Sequence, residues 1–301
     1  MKISDLDELV HEAPERALVE GRALLKAVEP EKIPRVLACC GTAYRLQERF
    51  SRAYAVLEEA QRWASELDHS LRGDLLQRLG YVQSAQQNFS LAYQTCTAAQ
   101  NEYILAGDRT GVGKTLVDIG LVHFHTGRLR LAETCNSRAL ELLPPHEERN
   151  RYAAYVNLAH CHEDDLAKSL AYLDQAGGLN VPRRLQPKKE WFKAKLYAKH
   201  GEEAAVETFV KVIDLYLEVG LLFDASLGVL DGVLFSDALY NDRFMERVGL
   251  LALELPSESK ASAAIAQVWI ASQRGFVKTS LIEVAKTVIQ REKIRWLRGN
   301  L

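Results

Sequence analysis

The sequence lacks the features of a secreted or membrane-spanning protein. It has no apolar run near the length of about 20 residues that a membrane-spanning helix needs. Its first residues are acidic where a signal peptide would be basic and then apolar. We therefore expect a cytoplasmic protein with no membrane partner. The five cysteines are an odd number, form no Cys-x-x-Cys pair and fall in apolar helical patterns, so we expect them to be reduced residues of the core.

Signatures of the common enzyme classes are also absent. The sequence contains no Gly-x-Ser-x-Gly, His-Glu-x-x-His or Gly-x-Gly-x-x-Gly pattern. These patterns are typical of serine hydrolases, zinc metalloproteases and dinucleotide-binding enzymes, respectively. No other segment suggests a catalytic nucleophile, so we expect a protein that is not an enzyme.

One segment, residues 108 to 115, differs by a single residue from a phosphate-binding loop. Such a loop needs glycine where Asp108 stands, and it follows a strand, whereas residues 89 to 105 have a helical pattern. A carboxylate at that position would also face the anionic phosphate. We interpret Asp108 as a helix cap in a turn between two helices, and we predict that Lys114 is not a phosphate ligand.

Another segment, residues 160 to 165, is rich in metal-ligand residue types and reads His-Cys-His-Glu-Asp-Asp. On a helix, His160 and His162 point roughly 200° apart, so they cannot share an ion as residues four apart can. His123 and His125 have the same opposed geometry. We therefore expect no metal site and no cofactor.

The sequence has no strong excess of charge of either sign. A formal net charge of -2 gives no general attraction to the phosphate backbone of nucleic acids. Five basic residues cluster near the C-terminus, and we interpret them as cations that stabilise a helix C-terminus through its dipole. We expect no nucleic-acid partner. The cluster comprises Lys286, Arg291, Lys293, Arg295 and Arg298.

What the sequence does contain is a helical repeat of about 40 residues. Apolar residues make up 48% and prolines number only eight, which is typical of a folded helical protein. A glycine inside a helix costs roughly 1 kcal/mol relative to alanine, so recurring glycines indicate close helix crossings. At intervals of 39 or 40 residues, first helices carry Gly41, Gly80, Gly120 and Ala159, and second helices carry Ala53, Ala92 and Ala132, with Ala60, Ala99 and Ala139.

This pattern resembles the tetratricopeptide repeat (TPR). The interval exceeds the usual length of about 34 residues, and the Gly-Asp-Arg-x-Gly opening at residues 107 to 111 is similar to the long-repeat members found in bacterial regulators and scaffold proteins. The first repeat carries Gly41, Tyr44, Ala53, Leu57 and Ala60, the second Gly80, Ala92, Cys96 and Ala99, and the third Gly120, Gly127, Ala132, Ala139 and Pro144.

The resemblance implies an all-α fold, a right-handed α-solenoid of about seven antiparallel helix pairs that form a TPR-like superhelix. We predict lead-in helices in residues 1–30, repeats in 31–178, a hinge in 179–187, and further repeats with capping helices in 188–301. The last part would hold pairs at 221–239 with 241–254 and at 257–273 with 277–296. In the fourth repeat the second helix comes two residues early, so either its turn is tighter or its helix is shorter.

The resemblance also implies a function, because TPR proteins hold a partner in the groove lined by the first helix of each pair. We predict a non-enzymatic scaffold or regulator of bacterial type that binds a protein or peptide. Two alternatives remain, a sensor whose superhelical pitch changes when a small peptide binds, and an enzyme with an unrecognised site. The expected groove residues are Arg35, Arg45, Asp74, Gln77, Tyr81, Lys114, Phe124, His125, His160, Glu163, Lys188, Trp191, Lys195 and Lys199.

One stripe of this groove is basic. Lys188, Trp191, Lys195 and Lys199 recur at helical spacing. An aromatic residue flanked by cations is a common binding anchor, which favours a partner with an acidic segment. The alternative is that the stripe is a solvated face, as runs of charge usually are.

Overall fold

The structure is a computed structural model that describes residues 2–47, 49–65, 68–220, 225, 228–229, 231–232 and 241–254 of the 301 residues. The regular secondary structure of these described residues consists of α-helices and short 3-10 helices, and it includes no strand. Residues 225, 228–229 and 231–232 are also helical. The helices are α1 (Ile3–Glu12), α2 (Pro14–Leu24), α3 (Ile33–Leu46), α4 (Phe50–Trp63), α5 (His69–Ala85), α6 (Phe89–Leu105), α7 (Arg109–His125), α8 (Leu129–Leu142), α9 (Glu148–Cys161), α10 (Leu166–Gly177), α11 (Gln186–Lys199), α12 (Ala205–Glu218) and α13 (Asp242–Glu254).

Several helices end in a residue with left-handed backbone geometry. The angle φ is 67° at Gly107, 75° at Gly127, 70° at Gly201 and 70° at Gly220. Glycine adopts these values without the steric cost of a Cβ atom, which makes it the usual residue after a helix. Gln87 takes the same position after α5 with φ of 61°, although it carries a side chain.

The predicted close crossings of helices are confirmed at two repeats. A Cβ atom added to Gly80 would lie 2.5 Å from the sulfur of Cys96 and 3.4 Å from the carbonyl of Ala92. A Cβ atom added to Gly120 would lie 2.3 Å from Nδ2 of Asn136. The first and second helices of these pairs therefore touch where the first helix has no side chain, as the recurring glycines indicate.

The fourth repeat is shortened in its first helix. The helix α7 continues to His125, five residues past Gly120, whereas α9 ends at Cys161, two residues past Ala159. The turn before α10, residues 162–165, is one residue longer than the turn before α8, residues 126–128. Of the two explanations for the early second helix, the shorter helix is the correct one.

The described residues divide into two compact units. Unit 1 holds the residues up to His162 and Asp174–Asn180, and unit 2 holds Glu163–Leu173 and the residues from Val181 onward. In unit 1, α1 packs on α2, α3 on α4, α5 on α6 and α7 on α8, and the first helices α1, α3, α5, α7 and α9 also contact one another in sequence. In unit 2, α11 packs on α12, and α12 packs on α13. The hinge at residues 179–187 stays a prediction.

Three further expectations concern single features. Cys39, Cys40 and Cys96 are free and buried, as predicted for core residues, whereas Cys135 and Cys161 are free but only half-buried. No described helix is long and apolar enough to cross a membrane. The predicted pair at 257–273 and 277–296 and the basic cluster near the C-terminus lie outside the described residues, as does most of 221–239.

Candidate ligand-binding face

The first helices of unit 1 form one continuous surface, here called the first-helix face, to which α1, α3, α5, α7 and α9 contribute. Neighbouring packed helices lie roughly 10 Å apart, so a flat row of five would hold its ends about 40 Å apart. Yet the charge of Arg149 on α9 lowers the pKa of His11 on α1, and Asp7 on α1 raises the pKa of Arg149. The charged side chains at the two ends of the row are therefore within electrostatic reach of each other.

Arg78 ties three of these helices together. Its Nε donates to Asp74 at 2.9 Å, its Nη2 lies 3.5 Å from Asp7 on α1, and its Nη1 donates to Thr42 on α3. Burial lowers the pKa of Arg78, but the charges of Asp74 and Asp7 outweigh burial and raise it. This guanidinium is neutralised within the protein.

A chain of hydrogen bonds leads from the second helices into the face. The hydroxyl of Tyr103 donates to Oε1 of Gln77 at 3.3 Å, and Nε2 of Gln77 donates to Asp118 at 2.7 Å. The Tyr103 ring fits between α5 and α7 because an added Cβ would lie 3.0 Å from it at Gly73 and 2.2 Å from it at Gly111. These glycines let α6 place a polar group on the opposite side of the helix layer.

Asp118 is a half-buried carboxylic acid on this face. Burial raises its pKa to about 7, while the hydrogen bond from Gln77 and the charge of Arg45 act in the opposite direction. Its charge also acts on Cys96 and Tyr103 of α6, both of which burial keeps neutral by raising their pKa. Asp118 therefore changes charge near neutral pH.

Two arginines on the face form no ion pair within the part of the chain that the structure describes, although nearby carboxylates act on both. Asp118 raises the pKa of Arg45, and Asp7 and Glu147 raise the pKa of Arg149. The guanidinium of Arg45 lies 4.4 Å over the ring of Tyr81, and no residue in the described part of the chain forms an ion pair with Arg45 or Arg149. Burial lowers the pKa of both, and the neighbouring charge of Arg78 lowers both further. Arg149 also lowers the pKa of Arg45, so the two lie within electrostatic reach of each other.

The remaining expected groove residues of unit 1 have partners within the protein. Arg35 lies 3.9 Å from Asp68, and Lys114 lies 2.8 Å from Glu147. Phe124 contacts the rings of His125 and His160 at centroid distances of 5.4 and 5.1 Å. These residues form a mixed polar and aromatic border.

The segment similar to a phosphate-binding loop is the start of α7. Asp108 accepts a hydrogen bond from the backbone N–H of Gly111 at 2.9 Å, which confirms that it caps the helix. Gly111 and Gly113 are buried within the helix. Their backbone N–H groups are thus committed to helix geometry rather than to a loop around an anion.

The basic stripe lies in unit 2, and most of it is paired there. The indole of Trp191 donates to Asp231 at 2.9 Å, and Lys195 lies 3.5 Å from the same carboxylate. Lys199 lies 3.0 Å from Glu163 and 2.7 Å from Asp164, and Lys188 is exposed. These pairs reduce the positive charge available to an acidic partner, and binding at the stripe stays a prediction.

Four residues of the first-helix face were missed in the sequence: Asp7, His11, Asp118 and Arg149. The sequence did contain one pattern that could have identified Asp118. Arg78, Asp118 and Asn157 each stand two residues before the small residue of their repeat. A polar residue at one fixed phase of an otherwise apolar helix indicates a shared environment. In the described ranges, no group of three or more His, Cys, Asp or Glu side chains is placed to hold a metal ion.

No family model and no curated protein matches the sequence. Among solved structures, the chain is similar to a Rap protein complexed with Competence and Sporulation Factor, with 16% identity, a TM-score of 0.67, and coverage of 95% of this chain and 81% of that one. It is also similar to the Rap conjugation gene regulator of the plasmid pLS20 in complex with the Phr* peptide, with 15% identity, a TM-score of 0.61, and coverage of 86% and 74%. These similarities confirm the predicted solenoid fold of TPR type.

Proposed function

We propose that this chain is a non-enzymatic regulator that binds a short peptide, or a peptide segment of a protein partner, on the first-helix face. The observation that carries the proposal is that two half-buried arginines of this face, Arg45 and Arg149, form no ion pair with any described residue. Two similar folds were solved with bound peptides, as their descriptions state. That similarity supports a peptide over other ligands of the same charge.

The chemistry of the face suits an extended peptide. A peptide presents backbone N–H and C=O groups every few ångströms, and each needs a partner when water is removed. The face offers donors in Arg45, Arg149 and Gln77 and acceptors in Asp74 and Asp118. Because these groups come from four different helices, a ligand that reached all of them would be several residues long.

The proposal is tested by selecting peptides on the full chain. A random peptide library is panned on the protein, and enriched peptides are measured by calorimetry against Gln77→Ala and Tyr81→Ala, which change the face. Arg138→Ala is the matched control, because Arg138 lies exposed on α8 and, among the described residues, forms its ion pair with Glu141 of the same helix. We expect at least about tenfold weaker binding to both face variants and unchanged binding to the control.

Peptides that bound all three variants equally would place the site elsewhere, and a library that yielded no binder would contradict the function. The same peptides also test the sensor alternative. If a bound peptide changes the small-angle scattering profile of the full chain, the protein acts as a sensor whose shape responds to the ligand. An unchanged profile together with a stoichiometric protein partner in a pull-down favours a scaffold.

A further inference from the structure

The exposed face of α6 carries no charge. Of the 17 residues of α6, only Glu102 is charged, and it is turned toward α5, where it pairs with His69 at 2.8 Å and Arg72 at 3.0 Å. The neighbouring second helices differ, because charged residues stand there at positions that are uncharged in α6. The residues equivalent in the repeat to Leu91, Ala98 and Asn101 of α6 are Arg52, Glu59 and Arg62 on α4, and those equivalent to Ala98 and Asn101 are Arg138 and Glu141 on α8.

The uncharged face contains a row of residues with the spacing of a coiled-coil contact, here called the α6 seam. It consists of Leu91, Gln94, Ala98, Asn101 and Leu105, and all five are exposed. Their successive intervals are three, four, three and four residues, the alternation by which one helix meets another along its length. Leu91 and Leu105 are 38% and 68% exposed, and Ile104 beside them is 59% exposed. An exposed apolar row of this kind, without charge, is typical of a protein interface.

The α6 seam is nearly symmetric about Ala98. Leu91 and Leu105 each lie seven residues from it, and Gln94 and Asn101 lie four and three residues from it. An antiparallel second copy of α6 would therefore place leucine against leucine, amide against amide, and Ala98 against itself. Each amide can both donate and accept hydrogen bonds, and alanine at the centre lets two helices approach closely. A twofold contact requires such self-complementarity, whereas a contact with a different protein does not.

We propose that two copies of this chain associate through the α6 seam, with their α6 helices antiparallel and the twofold axis beside Ala98. Ala98 and Tyr103 are five residues apart on the helix, so they point about 140° apart. The hydroxyl of Tyr103 reaches Gln77 of the first-helix face at 3.3 Å, so the α6 seam faces away from that face. The dimer leaves the first-helix face open, and the proposal does not depend on peptide binding there.

The size of the α6 seam indicates a weak dimer. A helix of 17 residues is about 25 Å long and about 10 Å wide. A contact of these dimensions is smaller than the roughly 800 Å² per partner of a standard stable interface. Association should therefore depend on protein concentration.

Sedimentation equilibrium of the full chain at about 1 to 200 µM measures this association. Ala98→Arg places two like charges at the twofold axis, and the repeat tolerates arginine at this position, because Arg138 is its equivalent on α8. Ser137→Arg is the matched control, since Ser137 is exposed on α8. We expect the wild type to dimerise, Ala98→Arg to raise the dissociation constant at least about tenfold, and Ser137→Arg to leave it unchanged. Circular dichroism verifies helicity, and Ala98→Lys replaces Ala98→Arg if that variant does not fold.

Two double variants test the antiparallel register. Gln94→Lys with Asn101→Lys brings lysine against lysine, so the dissociation constant should rise at least about tenfold. Gln94→Lys with Asn101→Glu brings each lysine against a glutamate of the other copy, so the constant should stay within about threefold of the wild type. In a parallel pair, like charges would meet in both variants.

Three results would overturn the proposal: a wild-type chain that stays monomeric at the highest concentration, a dimer that Ala98→Arg does not weaken, or equal weakening of the two double variants.

Discussion

Substituting Gly120 by alanine should destabilise the protein, although alanine is the better helix former. The added Cβ atom would lie 2.3 Å from Nδ2 and 3.0 Å from Cγ of Asn136, and 3.3 Å from the carbonyl of Ala132. Asn136 is fully buried. It donates to Ala132 at 2.8 Å and accepts from Asn157 at 3.1 Å, so it cannot move aside without losing these bonds.

The magnitude follows from three opposing contributions. Each buried hydrogen bond contributes about 1 kcal/mol, and forcing an extra methyl group into a packed core costs about 1 to 3 kcal/mol. Replacing a helical glycine by alanine raises the free energy of unfolding by about 1 kcal/mol through helix propensity. The expected net loss in the free energy of unfolding is about 2 to 4 kcal/mol, and a leucine at this position should lose more.

Urea unfolding followed by circular dichroism measures this loss. In a double-mutant cycle, Asn136→Ala removes the side chain that clashes, so it should couple with Gly120→Ala by more than about 1 kcal/mol. Gly178→Ala is the control. Its added Cβ would meet only the carbonyl of Gln175 at 3.7 Å, so its free energy of unfolding should change by less than about 0.5 kcal/mol. An unchanged midpoint for Gly120→Ala, or strict additivity with Asn136→Ala, would refute the close crossing.

Three other substitutions test separate features. Gln87→Gly should raise the free energy of unfolding by about 1 kcal/mol because φ is 61° at this residue, and Gln86→Gly, where φ is -80°, should not raise it. The pKa of Asp118 is about 7 in the folded chain and about 4 in an unfolded one, so the folded state retains a proton that the unfolded state has lost. Stability should therefore fall as pH rises from about 4 to 7. Asp118→Asn should remove that fall in pH-dependent urea unfolding, and an unaltered profile would mean that Asp118 does not titrate there. Trp191→Phe should lower the free energy of unfolding by about 1 kcal/mol, because the indole hydrogen bond to Asp231 is lost. Lys199→Ala should lower it by less than about 0.5 kcal/mol, because the ion pairs of Lys199 are exposed. The reverse order would contradict these contacts of Trp191 and Lys199.

The periodicity of the sequence was sufficient to predict the helix pairs and the places where their helices cross. The spacing of Gly80 and Gly120 predicted where helices cross, because only a missing side chain permits so close an approach at a cost to helix propensity. Asp108 was assigned as a cap from its place before an apolar helical pattern, and it caps α7. The proposed class of function also began as an expectation from the resemblance to TPR proteins, and it stays a proposal.

Only the tertiary structure showed which basic side chains form ion pairs with carboxylates and which do not form them among the described residues. Sequence spacing placed Lys195 and Lys199 on one stripe, but their carboxylate partners come from distant segments that no local pattern connects to them. Arg149 was not noticed, because its electrostatic interactions with Asp7 and Arg45 join helices that lie far apart in the sequence. How closely such helices approach one another depends on small rotations at every helix crossing, which add up over the repeats and which the sequence of any one repeat does not specify.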